Sequence, residues 1–397
     1  MKDIVIIANF CRDFSENDNG RFMYICKELS KNHNVEIITS DFSHSSKKHK
    51  EQLSIKWPFK ITFLHESGYK KNISIQRFFS HRTWGKEVKR YLDERKKPDI
   101  IYCAIPSLTA PLEAAKYCEK NNIRFIIDIQ DIWPEAFQMA LDVPVISDIA
   151  FFPFKLIADA IYKRADEIIA VSDTYVKRAL NVNSKCKSGH TVFLGTKLET
   201  YDNGALTKPF IEKTNDEIWI GYCGSLSTSY DIPNLIRAAK ILHDKNIQNI
   251  KLIIMGDGAH KQIFESIAKD SGICTVFTGR LIYEQMCATL NQCDIVVNPI
   301  KHGSAASIIN KHGDYAFSGL PVVNSQESIE YRNLIEQYNM GLNCKNEDAE
   351  DMAAKLKTLI LDKKLRIEMG KNARRCAEEC FNRANSYSII FELILGE

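Results

Sequence analysis

Short segments rich in Val and Ile alternate with amphipathic stretches along this chain of 397 residues, and this alternation restricts the fold more than any other feature. It predicts an α/β fold with parallel sheets, because successive parallel strands need a crossover, usually a helix, to return to the same edge. The strands predicted in the first part of the chain are Ile4–Asn9, Val35–Thr39, Ile61–Leu64, Ile100–Ala104, Phe125–Asp128, Glu167–Val171 and Thr191–Leu194. The helices between them include Thr83–Lys96 and Leu108–Lys120.

The alternation lapses between Gly195 and Glu217, in a segment rich in Lys, Thr, Asn and Gly that is typical of a linker. It then resumes, with strands predicted at Ile218–Tyr222, Lys251–Met255, Thr275–Thr278, Ile295–Pro299, Val322–Asn324 and Gly341–Asn343. We therefore predict two Rossmann-like domains, residues 1–200 and 201–381, with a last helix (382–397) that packs back on the first. Ligands of such sheets bind beyond the carboxyl ends of the strands, so we expect a ligand in the cleft between the domains.

A candidate ligand-binding stretch runs from Ser304 to Val323, where a loop of small polar residues leads into a short helix. That helix carries Lys311 and, three residues later, Asp314. Backbone N–H groups at a helix start favour a phosphate, and a lysine adds positive charge. A carboxylate accepts hydrogen bonds from neighbouring hydroxyls. The pattern predicts a site for a phosphorylated, sugar-like ligand, and the alternative is an ordinary loop and helix of an α/β sheet.

Three predicted strands of the second domain end in glycine-containing turns. They are followed by Gly224-Ser225, by Gly256-Asp257-Gly258 and by Gly279-Arg280. Glycine lets the backbone N–H groups approach an oxyanion closely. These turns share one rim of the predicted sheet, so they favour a phosphate site there, with Arg280 able to reach a phosphate or a nucleobase. The alternative for Arg280 is a surface ion pair.

Asp131 follows a strand of the first domain and is the candidate carboxylate of that domain. It is expected either to bind an acceptor hydroxyl or to help deprotonate it, whereas the alternative is a structural cap. The chain has no HExxH or GxSxG motif, and no Cys or Ser has an evident His partner in sequence. We therefore expect no metal site and no enzymic nucleophile.

Charge is unevenly distributed although the net charge is only +3, a value that argues against a nucleic-acid-coating surface. Residues 42–97 contain fifteen Lys and Arg against five Asp and Glu. Aromatic residues are interleaved there, namely Trp57, Phe59, Phe78, Phe79 and Trp84. This region predicts either a solvated face or a peripheral contact with anionic lipid headgroups.

The location of the protein is inferred from its cysteines and its apolar runs. Twelve cysteines occur without a secretory signal, which favours reduced thiols and a cytoplasmic protein. The most apolar long run, Val143–Ile161, contains Asp148, Lys155 and Asp159, so it is not expected to span a membrane. Together with the basic region, this predicts a place at the inner face of the cell membrane.

Four stretches of the chain resemble the retaining glycosyltransferases of family 4, which have the GT-B fold. They are the N-terminal strand with its loop and Gly20, Asp131–Glu135, Gly221–Leu226 and Lys311–Val323. The sequence looks most like bacterial enzymes that build O-antigen or capsular repeat units on an undecaprenyl diphosphate carrier. The resemblance implies an acceptor-binding first domain, with Gly20 in its acceptor-side loop, and a donor-binding second domain.

The resemblance also assigns roles to residues of the candidate stretch. Asp314 takes the place of the second glutamate in the family's Glu-x7-Glu motif, which binds the donor ribose. Ala306 stands where the first glutamate would be, so Ser304 or Ser307 is expected to supply its contact to the sugar. The donor diphosphate is expected on Lys311, on Arg280 and on backbone amides near Gly224 and Ser304–Ile308.

Two positions depart from the family pattern in ways that affect the chemistry. Ser225 occupies a position that is often arginine, and Gln130 one that is often histidine. Asp131 is therefore the expected catalytic residue.

The implied reaction transfers a hexosyl or N-acetylhexosaminyl group from a nucleotide diphosphate sugar, by default UDP-linked, to a lipid-linked or saccharide acceptor. The anomeric configuration would be retained, and the nucleotide sugar would be a co-substrate rather than a cofactor. No strand ends in a clear Asp-x-Asp, so no divalent metal is expected. The alternatives are a nucleotide-sugar 2-epimerase of similar fold and a non-catalytic nucleotide-sugar-binding subunit.

Overall fold

The chain forms two compact units. A computed structural model describes residues 1–11, 14–15, 20–50, 55–72, 74–135, 144–214, 216–304 and 308–396, with side chains except for 144–150. Met1–Val192 and Tyr387–Glu397 make the first unit, and Phe193–Ser386 makes the second. From the sequence, the boundaries between the two domains were predicted after residues 200 and 381.

The first unit contains a seven-stranded parallel sheet with the strand order β5-β2-β1-β6-β7-β8-β9. Its strands are β1 Asp3–Ile7, β2 Asn34–Ser40, β5 Lys60–Leu64, β6 Ile100–Ile105, β7 Arg124–Ile129, β8 Glu167–Ala170 and β9 His190–Thr191. Two short strands, β3 Phe42–Ser43 and β4 Lys48–His49, pair antiparallel beside it. The helices are α1 Arg21–Leu29, α2 Ile75–Glu94, α3 Thr109–Asn121, α4 Pro144–Tyr162 and α5 Asp173–Leu180.

The second unit contains a six-stranded parallel sheet with the order β12-β11-β10-β13-β14-β15. Its strands are β10 Ile218–Cys223, β11 Ile250–Met255, β12 Thr275–Gly279, β13 Ile295–Asn298, β14 Val322–Asn324 and β15 Gly341–Asn343. Its helices are α6 Leu198–Ala205, α7 Ile232–Asp244, α8 Lys261–Ser271, α9 Tyr283–Leu290, α10 Asn310–Phe317, α11 Ile329–Tyr338, α12 Ala349–Leu361, α13 Lys363–Cys376 with a π-helical end Ala377–Phe381, and α14 Arg383–Ser386. The predicted α/β class with two Rossmann-like parallel sheets is confirmed.

The last helix, α15 (Ser388–Leu395), packs into the core of the first unit, as the sequence predicted. Ile390 and Ile394 are fully buried there among side chains of β1, β2 and α1. The Tyr387 ring lies against Tyr24, with 5.6 Å between ring centroids. Burial of this apolar surface provides the favourable free energy that holds the helix in the first unit.

A buried ion pair links helix α1 to strand β7 in the first unit. Arg21 donates to both carboxylate oxygens of Asp128, with N–O distances of 2.7 and 3.1 Å. The same guanidinium donates to the Tyr387 hydroxyl at 3.1 Å, and the Tyr102 hydroxyl donates to Asp128 at 2.7 Å. Asp128 is thus engaged in the structure of the first unit, because an unpaired buried carboxylate would be costly.

The predicted linker Gly195–Glu217 is wrong over its first part, which contains the helix α6. Tyr201 of this helix is buried and stacks on Phe317, with 5.7 Å between the ring centroids. Gly204 packs closely against Cys287 of α9. The polar composition of the segment concealed a helix whose stability depends on tertiary packing.

Helix α2 begins at Ile75, eight residues before the predicted start at Thr83. Its first turn is capped by the Ser74 side chain, which accepts from the Arg77 N–H at 3.3 Å. The interleaved aromatic residues of the basic region do not all face solvent, since Trp84 is buried in the core.

No helix in the described ranges is both long enough and apolar enough to cross a membrane. No disulfide bond joins the twelve cysteines, all of which lie among the described residues.

Candidate functional site

A cavity of about 720 Å³ lies in the second unit, at the carboxyl ends of β10, β11 and β12. The described residues that line it include five of the predicted site residues: Gly224, Ser225, Arg280, Lys311 and Asp314. The turns after the three strands are adjacent because neighbouring parallel strands end at the same edge.

Two of the lining glycines permit a close approach of backbone to backbone. Gly224 has φ of +146°, and its N–H donates to the Met255 carbonyl at 2.9 Å. Gly256 has φ of +155°, and a Cβ there would lie 1.8 Å from the Gly224 carbonyl oxygen. A side chain at Gly256 would therefore separate the two turns, and the cavity wall is backbone at this point.

Lys311 supplies the buried cation of this cavity. It lies in the first turn of α10 and is only 7% exposed. Its Nζ lies 4.3 Å from the Tyr222 ring centroid and 4.0 Å from that of Tyr230, and it has no hydrogen-bond partner among the described residues. Burial lowers the pKa of Lys311 to about 7. An anionic group in the cavity would favour the charged amine and form the missing hydrogen bond.

His312 stabilises the start of α10 through a hydrogen bond and a ring contact. The imidazole stacks on the Tyr331 ring with 3.5 Å between centroids, and its Nδ1 accepts from the Ile309 N–H at 3.2 Å. Burial lowers the pKa of His312 well below its ordinary value, so the ring is neutral at pH 7. A neutral ring without solvent access is not suited to proton transfer. Its role is structural, since its hydrogen bond to Ile309 holds the first turn of α10 in place.

Asp314 lies one turn further along α10 and lines the same cavity. Its Oδ1 accepts a hydrogen bond from the Tyr283 hydroxyl at 2.8 Å. Burial raises the pKa of Tyr283, and the Asp314 carboxylate raises it further. Tyr283 therefore remains a donor over the physiological range and orients the carboxylate.

The remaining predicted donor residues differ in position. Ser225 and Arg280 are exposed residues at the cavity wall, and the Ser225 carbonyl accepts from the Tyr222 hydroxyl at 2.7 Å. Ser304 is exposed, is not among the lining residues and directs its hydroxyl to the His302 carbonyl at 3.5 Å. Ser307 and the neighbouring Ala306 lie outside the described residues.

The first-unit residues Asp131 and Gly20 lie near the ends of separate elements. Asp131 follows β7 and is half-buried, and its Oδ1 accepts from the Ile132 N–H at 3.0 Å. Burial raises the pKa of Asp131, although this hydrogen bond and the charge of Arg77 act in the opposite direction. Gly20 precedes the first residue of α1, where it has extended backbone angles.

A buried polar cluster of the first unit was not found from the sequence. Glu66 follows β5, is 1% exposed and accepts from Asn9 at 3.0 Å and from Ser80 at 2.8 Å. His81 is buried beside it and stacks on Trp133, with 5.4 Å between ring centroids. These residues belong to no recognisable sequence motif. The one feature that could have indicated the cluster is that Asn9 and Glu66 each follow a strand.

Three tyrosines that contact Lys311 or Asp314 were missed for a similar reason. Tyr222 lies in a predicted strand, Tyr230 in a loop and Tyr283 at a helix start, so each had an ordinary structural explanation. Only the folded chain brings the rings of Tyr222 and Tyr230 together beside one lysine.

Comparison with known proteins finds a match to one glycosyltransferase family in part of the chain. Residues 206–376, within the second unit, match the family model described as glycosyl transferases group 1. The uncharacterized glycosyltransferase MJ1069 of Methanocaldococcus jannaschii is 25% identical over 254 residues, which is 62% of this chain and 64% of that protein. The match therefore spans slightly less than two thirds of that relative's length.

Solved structures of similar fold cover the whole chain. Sucrose-phosphate synthase from Thermosynechococcus elongatus has a TM-score of 0.76 at 15% identity, covering 100% of this chain and 99% of that protein. Anabaena HepE, solved in complex with UDP, has a TM-score of 0.70 at 14% identity with complete coverage of both chains. The structural neighbours are GT-B glycosyltransferases, and the predicted GT-B fold is confirmed.

Proposed function

We propose that the protein is a retaining glycosyltransferase that moves a sugar from a nucleotide diphosphate sugar to a hydroxyl acceptor. The observation that carries this proposal is the buried Lys311 amine, which lies against two tyrosine rings at a glycine-lined cavity. A buried cation without a hydrogen-bond partner is costly unless an anion binds it. The diphosphate of the donor is such an anion.

The donor would be held by three kinds of contact. Lys311 and the exposed Arg280 would neutralise the diphosphate, and the α10 N-terminus would add backbone donors and a favourable dipole. Asp314, oriented by Tyr283, would accept hydrogen bonds from the ribose hydroxyls. HepE is similar in fold and was solved with UDP, which favours UDP as the nucleotide.

The chemical step needs no enzymic nucleophile in this proposal. The acceptor oxygen forms the new bond on the face from which the leaving phosphate departs, and that phosphate takes the acceptor proton. Stabilisation of the developing negative charge by the Lys311 cation and backbone amides would supply the main rate acceleration. Asp131 would bind and orient the acceptor hydroxyl while the phosphate takes its proton. In the alternative form of this step Asp131, whose pKa is raised by burial, takes the proton instead of the phosphate.

A lipid-linked acceptor is favoured by exposed apolar side chains on two helices of the first unit. Ile75 and Phe79 of α2 are 75% and 63% exposed, and Phe152 and Leu156 of α4 are 56% and 52% exposed. Ile75 and Phe79 form an apolar patch within the basic region 42–97. Such a patch suits an anionic membrane, since apolar side chains enter the headgroup layer and cations pair with phosphates. The proposed location is the cytoplasmic face of a membrane, with a role in surface polysaccharide synthesis.

Co-sedimentation with vesicles tests the membrane contact. Phe79→Ser should reduce binding to phosphatidylglycerol-containing vesicles, because it removes apolar area from the patch. Phe210→Ser is the matched control, since Phe210 is 47% exposed but belongs to the second unit. Equal loss of binding in both variants, or no binding by the unaltered protein, would contradict the proposed contact.

A thermal-shift screen of nucleotide sugars tests the central proposal. The true donor should raise the melting temperature in a concentration-dependent way, because it binds only the folded protein. The same donor should have little effect on Lys311→Ala. Incubation with a lipid-linked acceptor should then yield a glycoside with retained configuration.

Two controls separate this proposal from other activities. Formation of an epimer from the donor alone, followed by NMR, would indicate an isomerase instead, and donor binding without turnover on any acceptor would indicate a binding subunit. We expect EDTA to leave transfer intact, whereas loss of activity that manganese restores would refute a metal-independent reaction.

A further inference from the structure

Three side chains of the first unit converge outside the donor cavity: Asp41, His49 and His65. Asp41 lies between β2 and β3, His49 ends β4, and His65 follows β5. His65 Nδ1 lies 3.0 Å from Asp41 Oδ2, and His49 Nδ1 lies 3.4 Å from Asp41 Oδ1. One nitrogen or oxygen from each residue lies within 4.8 Å of those from the others.

These spacings correspond to those between the ligands of one small dication. Zinc binds imidazole nitrogen and carboxylate oxygen at about 2.0–2.2 Å, so two ligand atoms of a tetrahedral site are about 3.3 Å apart. The two distances from imidazole nitrogen to carboxylate oxygen are close to this value. The two distances involve different oxygens of Asp41, and one ligand atom from each residue lies within 4.8 Å of the others. A shift of the imidazole rings would therefore bring all three residues to one ion.

The local backbone orients the three ligands. The Asp41 carboxylate accepts from the Glu66 N–H at 2.8 Å, and the Asp41 main chain pairs with Leu64 and with Lys50 at 3.0 and 2.6 Å. The carboxylate is thus oriented by a hydrogen bond from the Glu66 main chain, as is typical of metal ligands.

The two imidazole rings are stacked, with 5.6 Å between centroids and an interplanar angle of 11°. Both direct Nδ1 to the same carboxylate. The two Nδ1 atoms therefore face one position beside Asp41. Side-chain exposures of 48% for His49 and 60% for His65 leave access for an ion and for water ligands.

We propose that Asp41, His49 and His65 bind one dication of the zinc class, with water in the remaining position. Two nitrogens and one carboxylate oxygen suit zinc, cobalt or nickel better than magnesium or calcium, which prefer oxygen ligands. The bound ion joins the β3–β4 hairpin to the end of β5 and so stabilises the first unit. It takes no part in the transfer reaction, whose donor residues belong to the second unit.

Isothermal titration of the metal-free protein with Zn²⁺ tests this site, with His49→Gln and His65→Gln as the site variants. His302→Gln is the matched control, because His302 is an exposed histidine that pairs with a single carboxylate, Glu327, at 2.8 Å. Titration with Co²⁺ reports the ligands by visible absorption, and a thiolate charge-transfer band would reveal binding at a cysteine instead.

We expect one Zn²⁺ per chain in the unaltered protein and in His302→Gln, with an affinity at least tenfold weaker in both site variants. Zn²⁺ should also raise the melting temperature of the unaltered protein but not of the site variants. Equal affinity in His49→Gln and the unaltered protein, no binding at all, or a cobalt–thiolate band would each overturn the proposal. All four proteins should bind the nucleotide-sugar donor equally, so this test is independent of the proposed transfer activity.

Discussion

The amine of Lys311 connects burial, charge and ligand binding at the scale of one residue. Folding lowers its pKa from 10.5 to about 7, because the buried amine loses its hydration. Between these values the unfolded chain holds the extra proton, so this group makes the protein more stable as pH rises from 7 toward 10.5. Below pH 7 the cost of burying the charged amine is present in full.

We predict that binding of UDP above pH 7 takes up a proton at Lys311, because the phosphates favour the charged amine. At pH 8 the uptake should approach about one proton per UDP, and the affinity should fall as pH rises further, by up to about tenfold per unit. Calorimetry in buffers of different ionisation enthalpy measures the uptake directly. Lys311→Met should bind UDP more weakly and without this uptake, and an unchanged uptake in that variant would assign the proton elsewhere.

Replacement of Asp314 tests the proposed ribose contact. Asp314→Ala should weaken UDP binding by about 10- to 150-fold, which corresponds to a lost charged hydrogen bond of about 1.5–3 kcal/mol. Tyr283→Phe is the control, because it removes the 2.8 Å hydrogen bond to Asp314 but keeps the carboxylate. Calorimetric affinity of Asp314→Ala equal to that of the unaltered protein would exclude the assigned role.

At the scale of elements, the turns after β10 and β11 depend on Gly256. We predict that Gly256→Ala lowers both the melting temperature and donor affinity, because the new Cβ would collide with the Gly224 carbonyl at 1.8 Å. Gly272→Ala is the matched control, since Gly272 also has positive φ, +73°, but has no heavy atom within 4 Å of its Cβ position. It should cost some stability through backbone strain and leave donor affinity unchanged.

If donor affinity falls as much in Gly272→Ala as in Gly256→Ala, the effect reflects general instability. Unchanged affinity in both variants would show that the contact between the two turns does not shape the donor site.

Helices and strands were predictable where neighbouring residues in the sequence determine them. The strands β14 and β15 have the bounds that were predicted from the sequence. For β14 the signal is a short, buried apolar run after Gly319 and Pro321, which is characteristic of a parallel strand. Helix α6 was missed because its buried Tyr201 gains stability from distant Phe317. The start of α2 was missed because exposed Ile75 breaks the amphipathic pattern.

At the scale of the whole molecule, the double-Rossmann architecture was predictable because each sheet repeats one local pattern. The cavity of the second unit was predictable only in part. The spacing of Lys311 and Asp314 indicated that they lie close together, and both line the cavity, whereas the pairing of Tyr222 with Tyr230 beside the amine depends on how the chain folds. The polar cluster around Glu66 combines residues from positions 9 to 81 and therefore has no signature in sequence.

The first unit is discontinuous in sequence, because the last helix packs with residues 1–192. We therefore expect substitutions in this helix to change the stability of the first unit. We predict that Ile394→Ala lowers the free energy of unfolding of the first unit by about 2–5 kcal/mol, because it leaves a cavity at a fully buried site.

Urea unfolding followed by tryptophan fluorescence measures this change in a Trp219→Phe background. This background reports the first unit, because the second unit contains Trp219 alone and the first contains Trp57, Trp84 and Trp133. Glu392→Ala, at an exposed position of the same helix, should change this free energy by less than about 0.5 kcal/mol. Equal midpoints for Ile394→Ala and Glu392→Ala would show that the helix contributes little to the first unit.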